Sequence, residues 1–293
     1  MKLYDFIRAV HLIMPHKTIN QRLLDQLKFN FSQLQLKDID KCSPSEALWL
    51  RVQHQLKDHV INNNLLRFLQ WPVIQQSMCV ADAPYTETEL NFLKLNEWKK
   101  WSVALRDEKV GHPFPYWKRP SLKTDANTIH LTYHLSQFES LTGKKVTEHD
   151  IIFEFGGGYG CMRRVIHNMG YQGRYIIFDL EPLSYIQEFY LAANRIKNTE
   201  CIHSLNALEA SMDSASGRCM FIATWSLSET PLAFRKTLLE QINGHYSYLI
   251  AFQDNFCEIN NMPYFEQFRK LNKNKWYERK ILFLPNSNRY IFS

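Results

Sequence analysis

Ile151-Ile152-Phe153-Glu154-Phe155-Gly156-Gly157-Gly158-Tyr159-Gly160 is the stretch on which the reading of this chain turns. Five residues of strand-forming type run into a cluster of glycines, and a helical pattern takes over from about Tyr159 to Met169. A strand that turns through glycines into a helix brings backbone N–H groups against a ligand, because glycine has no Cβ to hold the ligand away. This is the layout of a nucleotide-type binding loop.

The pattern continues downstream in the same alternation. Strand candidates are Arg174–Asp179, Glu200–Ser204, Cys219–Thr224 and Tyr246–Phe252, with helices expected at Pro182–Arg195, Pro231–Asn243 and Met262–Leu271. Such alternation implies right-handed crossovers and a mostly parallel sheet covered on both faces. Lys280–Leu284 and Arg289–Phe292, separated by Pro285-Asn286-Ser287-Asn288, read as a terminal hairpin. Upstream, residues 19–36, 43–71 and 86–105 carry helical spacing, and Ser43-Pro44-Ser45-Glu46 reads as a capping box. Trp71-Pro72 forces a bend within Leu65–Met78. Residues 111–120, with three prolines, form a rigid connection, and a helix from Asp125 to Leu141 stops at Gly143. The chain therefore divides into a helical N-terminal region, 1–120, and an α/β domain, 121–293.

Two nucleotide fingerprints fail on the loop. The nicotinamide pattern G-x-G-x-x-G needs a third glycine, but Cys161 stands there counting from Gly156 and Arg163 counting from Gly158. No Gly-Lys-Ser/Thr follows, so a Walker loop is excluded. Glu154-Phe155-Gly156-Gly157-Gly158-Tyr159-Gly160 instead has the form E-x-G-x-G-x-G, which resembles motif I of the class I S-adenosylmethionine-dependent methyltransferases. Asp179 closes the next strand about twenty residues past the loop, where an acid accepts hydrogen bonds from both ribose hydroxyls. A lone strand-terminal Asp is otherwise a helix N-cap; loop and acid together favour the cofactor.

The resemblance implies a Rossmann-like fold with a mostly parallel seven-stranded sheet ending in an antiparallel hairpin, and S-adenosyl-L-methionine as cofactor. It implies that Glu154 supports the loop or the methionine amino group, and that Gly156, Gly157, Gly158 and Gly160 approach the methionine and ribose. Asp179-Leu180 would take the ribose, Asn206-Ala207 would lie beside the adenine, and Trp225 would cover a face of the ligand or simply pack in the core. The segments Glu154–Asn194, Asn127–Leu135, Trp225–Pro231 and Leu69–Pro72 are similar to the sugar O-methyltransferases of bacterial polysaccharide-biosynthesis clusters, over a span from about residue 65 onward. A sugar or glycan hydroxyl is then the implied acceptor. A non-sugar small molecule as acceptor, or a non-catalytic Rossmann-like binding protein, are the alternatives.

Transfer to a hydroxyl needs an aligned acceptor and a base for its poorly acidic proton. Asn127, His130 and His134 fall at i, i+3 and i+7 on one helical strip beside the apolar strip Leu131, Leu135 and Phe138. His134 is the expected base, with Asn127, His130 and Tyr133 contacting the acceptor. The alternative is a solvated border of an amphipathic helix. Glu229 and Asp254 follow the fourth and fifth strands, at the carboxyl ends where ligands bind, and are expected to orient sugar hydroxyls or, alternatively, to hold a magnesium ion that polarises them. Ser228-Glu229-Thr230-Pro231 also reads as a helix start. No tight carboxylate cluster exists in sequence, so no metal is expected.

Composition agrees with a folded globular protein: 45% hydrophobic and 22% charged residues in 293, with a formal charge of +6. The charge is spread, which argues against a nucleic-acid footprint. Six scattered cysteines without C-x-x-C spacing read as free thiols. Asp5 and Arg8 interrupt any signal-peptide core, and no stretch approaches the roughly 20 apolar residues of a membrane span. A cytoplasmic protein is expected, with the N-terminal helices as a cap over the acceptor pocket or a surface for homo-oligomers.

Overall fold

Along the strands, alternate side chains enter two separate cores, which is the signature of a sheet covered on both faces. The computed structural model describes residues 18–80, 83–107, 109–213, 216–242, 246–284 and 286–293. The expectations drawn from Asp5 and Arg8, and those touching Asn243 and Pro285, lie outside the described residues.

Seven strands form the main sheet: β1 (Ile151–Phe155), β2 (Arg174–Phe178), β3 (Thr199–Ile202), β4 (Cys219–Thr224), β5 (Tyr246–Gln253), β8 (Tyr277–Ile281) and β9 (Asn288–Phe292). A separate two-stranded ribbon pairs β6 (Asn255–Phe256) with β7 (Ile259–Asn260). The order in the main sheet is β3-β2-β1-β4-β5-β9-β8. Strands β1 to β5 are parallel, and β9 runs antiparallel between β5 and β8. This is the mostly parallel seven-stranded sheet with its terminal antiparallel pair. Because the chain steps outward one way from β1 to β3 and the other way from β4 to β5, a crevice opens between β1 and β4 at their carboxyl ends.

The helices are α1 (Gln21–Gln33), α2 (Pro44–Asn62), α3 (Pro72–Ser77), α4 (Pro84–Leu95), α5 (Trp98–Ala104), α6 (Ala126–Thr142), α7 (Cys161–Asn168), α8 (Glu181–Ala193), α9 (Leu205–Met212), α10 (Leu232–Glu240) and α11 (Met262–Leu271). None among the described residues is long and apolar enough to cross a membrane. The capping box at Ser43 and Glu46 forms, and Asp125 caps α6 by accepting from the Thr128 amide at 2.8 Å. Gly143 ends α6 at φ 73°.

Two long expected helices are divided. The run from Ser43 stops at Asn62, where Asn63 is extended and Asn64 starts a 3₁₀ turn by accepting from the Leu66 amide. The run from Thr86 breaks at Asn96 and Glu97, the latter at φ 50°, so that α4 and α5 meet at an angle. Helix α9, capped by Ser204, follows directly on the expected end of the third strand, where no helix was expected. The last hairpin begins at Tyr277, three residues before the expected Lys280.

One core packs α1 to α8 against Ile152, Tyr175, Ile177, Met220 and Ile222; the other packs α9 to α11 against Phe153, Ile176, Phe221 and Ile250. Phe68, in the 3₁₀ turn before α3, joins the N-terminal helices to the sheet domain. Its ring meets Trp71, Tyr159, Phe189 and Tyr190 edge to face, at centroid distances of 5.8 to 6.3 Å. Phe68→Ala is expected to cost about 3–5 kcal/mol in denaturant unfolding while the transition stays single. A cost under about 1 kcal/mol, or two separate transitions, would contradict a core shared by the two regions.

Candidate functional site

The carboxyl end of β1 meets that of β4 closely enough to decide which residues the loop tolerates. Gly156 sits at φ 74°, and a Cβ placed on it would lie 2.2 Å from Cβ of Ser226. Ser226 itself donates a short hydrogen bond to the Phe155 carbonyl. A Cβ on Gly157 would meet Ile177 Cγ2 at 2.7 Å and Glu154 Oε2 at 3.2 Å. Only hydrogen fits at either position.

Above this turn lies a cavity of about 890 Å³. Its floor is Glu154 to Tyr159, one wall is Phe178 to Glu181 with Leu183, and the opposite wall is Thr224 to Ser226 with Glu229. The roof comes from the N-terminal region: Trp49, Leu50 and Gln53 of α2, and the segment Gln76–Val80. Asn127 and His130 of α6 close one side.

Asp179 is buried at the end of β2. Its Oδ2 accepts from the Gly158 amide at 3.1 Å and from Gln187 Nε2 at 2.8 Å, and its Oδ1 accepts from the Leu180 amide at 2.8 Å. The Gly157 amide is a further donor to this carboxylate, so a hydroxyl in the cavity would share its oxygens with the amides of the loop. Burial pushes its pKa up to about 7 against these donors. Further hydroxyl donors from a ligand would favour the ionised form. Glu154 is likewise buried and pushed up to about 7 by burial, and accepts from the Tyr175 hydroxyl at 2.7 Å. Leu180, more than one third exposed, lines the cavity beside Asp179.

The strip on α6 is not solvated. The helix is buried on nearly all sides, and Asn127, His130, Tyr133 and His134 are each 6% exposed or less. Asn127 spends its amide on structure, accepting from the Val80 amide at 3.1 Å and donating to the Tyr159 hydroxyl at 3.0 Å. His130 faces the cavity, with Nδ1 2.6 Å from Oε1 of Glu89 and its ring stacked on the Trp225 indole at 5.7 Å and 17°. His134 lies behind it, outside the cavity lining, its ring edge-on to His130 at 4.2 Å. Its Nδ1 meets the Tyr290 hydroxyl at 2.5 Å, and its Nε2 is buried without a partner among the described residues. Burial, then the neighbouring His130, hold the His134 pKa well below the usual imidazole range. Tyr133 turns elsewhere, onto Phe92 and Phe283.

Trp225 has φ 66°, an uncommon conformation for a bulky residue. Its amide donates to the Ala251 carbonyl at 2.7 Å and its indole N–H to Asn288 Oδ1 at 2.6 Å, which together hold the ring in the cavity wall. Glu229 is half-buried in the same wall; burial raises its pKa to about 7, against hydrogen bonds from Trp49 and Gln253. The remaining expected residues stand away from the cavity. Gly160 caps α7 and packs on Leu191 and Tyr190, and Asn206 and Ala207 are exposed on α9, whereas His203 and Leu205 line the cavity instead. Asp254 is taken up by a two-point ion pair with Arg289, at 2.7 and 3.1 Å.

Sequence reasoning missed Glu89, Trp49 and Gln187. Glu89 had a signal: it shares the buried spacing of Thr86, Leu90 and Leu93 on α4, and a carboxylate on such a stripe needs a partner. Trp49 and Gln187 had none, since each depends on a contact from a distant helix.

No family model matches this chain, and no curated protein does. Solved structures do show similarity. The N-terminal domain of human METTL16 in complex with SAH aligns at 11% identity and a TM-score of 0.42, over 56% of this chain and 70% of that one. Magnesium protoporphyrin IX methyltransferase from Synechocystis PCC 6803, with bound SAM, aligns at 11% identity and 0.41, over 74% and 98%. A SAM-dependent methyltransferase from Aquifex aeolicus aligns at 12% and 0.39, over 54% and 89%. At such low similarity none of them bears on acceptor or reaction.

The raised pKa of Glu154 has a measurable consequence. Between about 4.5, the ordinary value, and about 7, the folded chain holds a proton that the unfolded chain has released. Stability therefore falls as pH rises through this window and is lowest above it. Relative to Glu154→Gln, the native chain is expected to lose on the order of 3 kcal/mol between pH 4.5 and 8 in denaturant unfolding. A difference that does not change with pH would contradict this placement of the carboxyl.

Proposed function

We propose that this chain is an S-adenosylmethionine-dependent O-methyltransferase acting on a hydroxyl of a sugar. The observation that carries the reading is the juxtaposition, on one cavity, of the glycine turn with Asp179 and the His130–Glu89 pair.

The residues present fit the cofactor. Glycines at 156 and 157 remove side chains from the floor, Gly158 leaves space toward the roof, and Asp179 lines the cavity where ribose hydroxyls would share its carboxylate with the loop amides. Leu180, Leu205 and His203 supply an edge for the adenine, and Glu154 a carboxyl at the methionine end. When bound, S-adenosylmethionine supplies an electrophilic methyl group on a sulfonium.

The chain's own task is to position the acceptor oxygen and remove its proton. His130 suits that task better than His134, because it reaches the cavity while His134 is sealed behind it. Glu89 takes the Nδ1–H of His130, which fixes the tautomer and leaves Nε2 as the basic nitrogen. As the acceptor O–H proton passes to Nε2, the buried Glu89 carboxylate balances the new imidazolium charge. Trp225 holds the imidazole plane by stacking, and His134 supports its edge. Glu229 and Trp49 support a sugar: an indole face packs against the C–H face of a ring, and a carboxyl orients its hydroxyls.

His130→Ala is expected to keep the affinity for S-adenosylhomocysteine in isothermal titration and to lower transfer of a labelled methyl group from S-adenosylmethionine to a sugar acceptor by about 10² to 10⁴. Glu89→Gln is expected to lower turnover in the same direction. Absence of S-adenosylhomocysteine binding by the native chain would overturn the methyltransferase reading. Unchanged turnover in His130→Ala would remove only the assignment of the base.

A further inference from the structure

The cavity above the glycine turn is unevenly charged. Among the described residues that line it, five carry carboxyl groups, Glu46, Glu154, Asp179, Glu181 and Glu229, and the only lysine or arginine is Lys37. Lys37, Glu46 and Glu181 are exposed, where water and salt screen them. Three carboxyls remain in the walls and floor, and His130, the imidazole that faces the same space, is already matched by Glu89.

These three differ in what answers them. Asp179 draws the amides of Gly157, Gly158 and Leu180 and the side chain of Gln187. Glu154 has the Tyr175 hydroxyl at 2.7 Å and the Arg163 guanidinium as a neighbouring cation. Glu229, on the wall opposite Asp179, has two neutral partners, Trp49 and Gln253, and no ion pair among the described residues. Arg235, the cation that holds its turn, donates instead to the Thr230 carbonyl at 2.7 Å and the Ser228 carbonyl at 2.9 Å. Glu258, on the ribbon beyond, adds a further negative charge, held by Ser45 Oγ at 2.8 Å. Burial, the larger effect, raises the Glu229 pKa, whereas hydrogen bonds from Trp49 and Gln253 favour its carboxylate. A positive charge in the cavity acts on the side of the carboxylate.

S-adenosylmethionine and S-adenosylhomocysteine differ by a methyl group and by one positive charge, carried on sulfur. We propose that Glu229 makes this cavity select by that charge, holding the sulfonium form more tightly than the neutral thioether. The inference rests on the reading of the cavity as the cofactor site. A cation between the wall of Asp179 and the wall of Glu229 is attracted by a carboxylate that no side-chain cation pairs with, in surroundings that screen far less than water. Adenine, ribose and the methionine end are common to both ligands, so contacts with the glycine turn largely cancel in the comparison. The consequence is that the demethylated product is held less tightly than the cofactor that must replace it.

The test is isothermal titration of the full chain at about pH 8, above the raised value of Glu229, and at low ionic strength. Three ligands are compared: S-adenosylmethionine, S-adenosylhomocysteine and sinefungin, in which a carbon bearing an ammonium group replaces the methylated sulfur. The native chain is expected to bind the two cationic ligands about tenfold more tightly than S-adenosylhomocysteine. Glu229→Gln keeps the size of the side chain and removes its charge. In it the cationic ligands are expected to weaken about tenfold while S-adenosylhomocysteine changes less than about twofold, which also shows that the variant folds. Equal affinity of the native chain for all three ligands, or tighter binding of S-adenosylhomocysteine, overturns the proposal. So does a preference that survives in Glu229→Gln, or a loss shared equally by all three ligands, which marks the residue as structural. Binding of none of the three by the native chain overturns the cofactor reading as well, and so is distinct from a failure of charge selection alone.

Discussion

The carboxyl ends of β1 and β4 approach until Ser226 touches the place where a side chain on Gly156 would stand. That close approach, sealed by the hydrogen bond from Ser226 to the Phe155 carbonyl, fixes the shape of everything above it. It turns the chain sharply out of β1, so the Gly158 amide points at Asp179 on β2. It also sends the chain leaving β4 through Trp225 at positive φ, which lays the indole in the cavity wall. The loop, the acid and the aromatic wall are thus consequences of one steric contact at the switch point of the sheet.

Helix α6 is the second constraint. An ordinary surface helix shows one apolar stripe and leaves its polar side in water. Here α6 is enclosed by α4, α7, β5 and β9, so its histidines had to find partners inside the protein. His130 finds Glu89 and His134 finds Tyr290. A buried carboxylate beside an imidazole is costly to desolvate, so each of the two needs the other as its partner.

Much of this was legible in the sequence, for local reasons. The strands announce themselves by short apolar runs, the turn by glycines that only close backbone approach explains, and α6 by Asp125 before it and Gly143 after it. Asp179 is found by spacing alone. What was hidden depends on contacts between distant segments. Glu89 is 41 residues from the histidine it meets, and Trp49 reaches Glu229 from a helix at the other end of the chain. Periodicity placed His130 and His134 on one strip but gives no direction when every side of the helix is buried; only the packed structure separates the one facing the cavity from the one behind it. The breaks at Asn63 and Glu97 were invisible for a related reason, since tertiary packing overrode a continuous helical pattern.

The central claim is that the cavity above the glycine turn holds S-adenosylmethionine with its ribose on Asp179. The most direct measurement is a crystal structure of the chain with S-adenosylhomocysteine. The account predicts density in the cavity beneath Trp49 and Trp225, with ribose hydroxyls within about 3 Å of the Asp179 carboxylate and the sulfur on the side of His130. Density elsewhere, or a nucleoside whose ribose avoids Asp179, would contradict it.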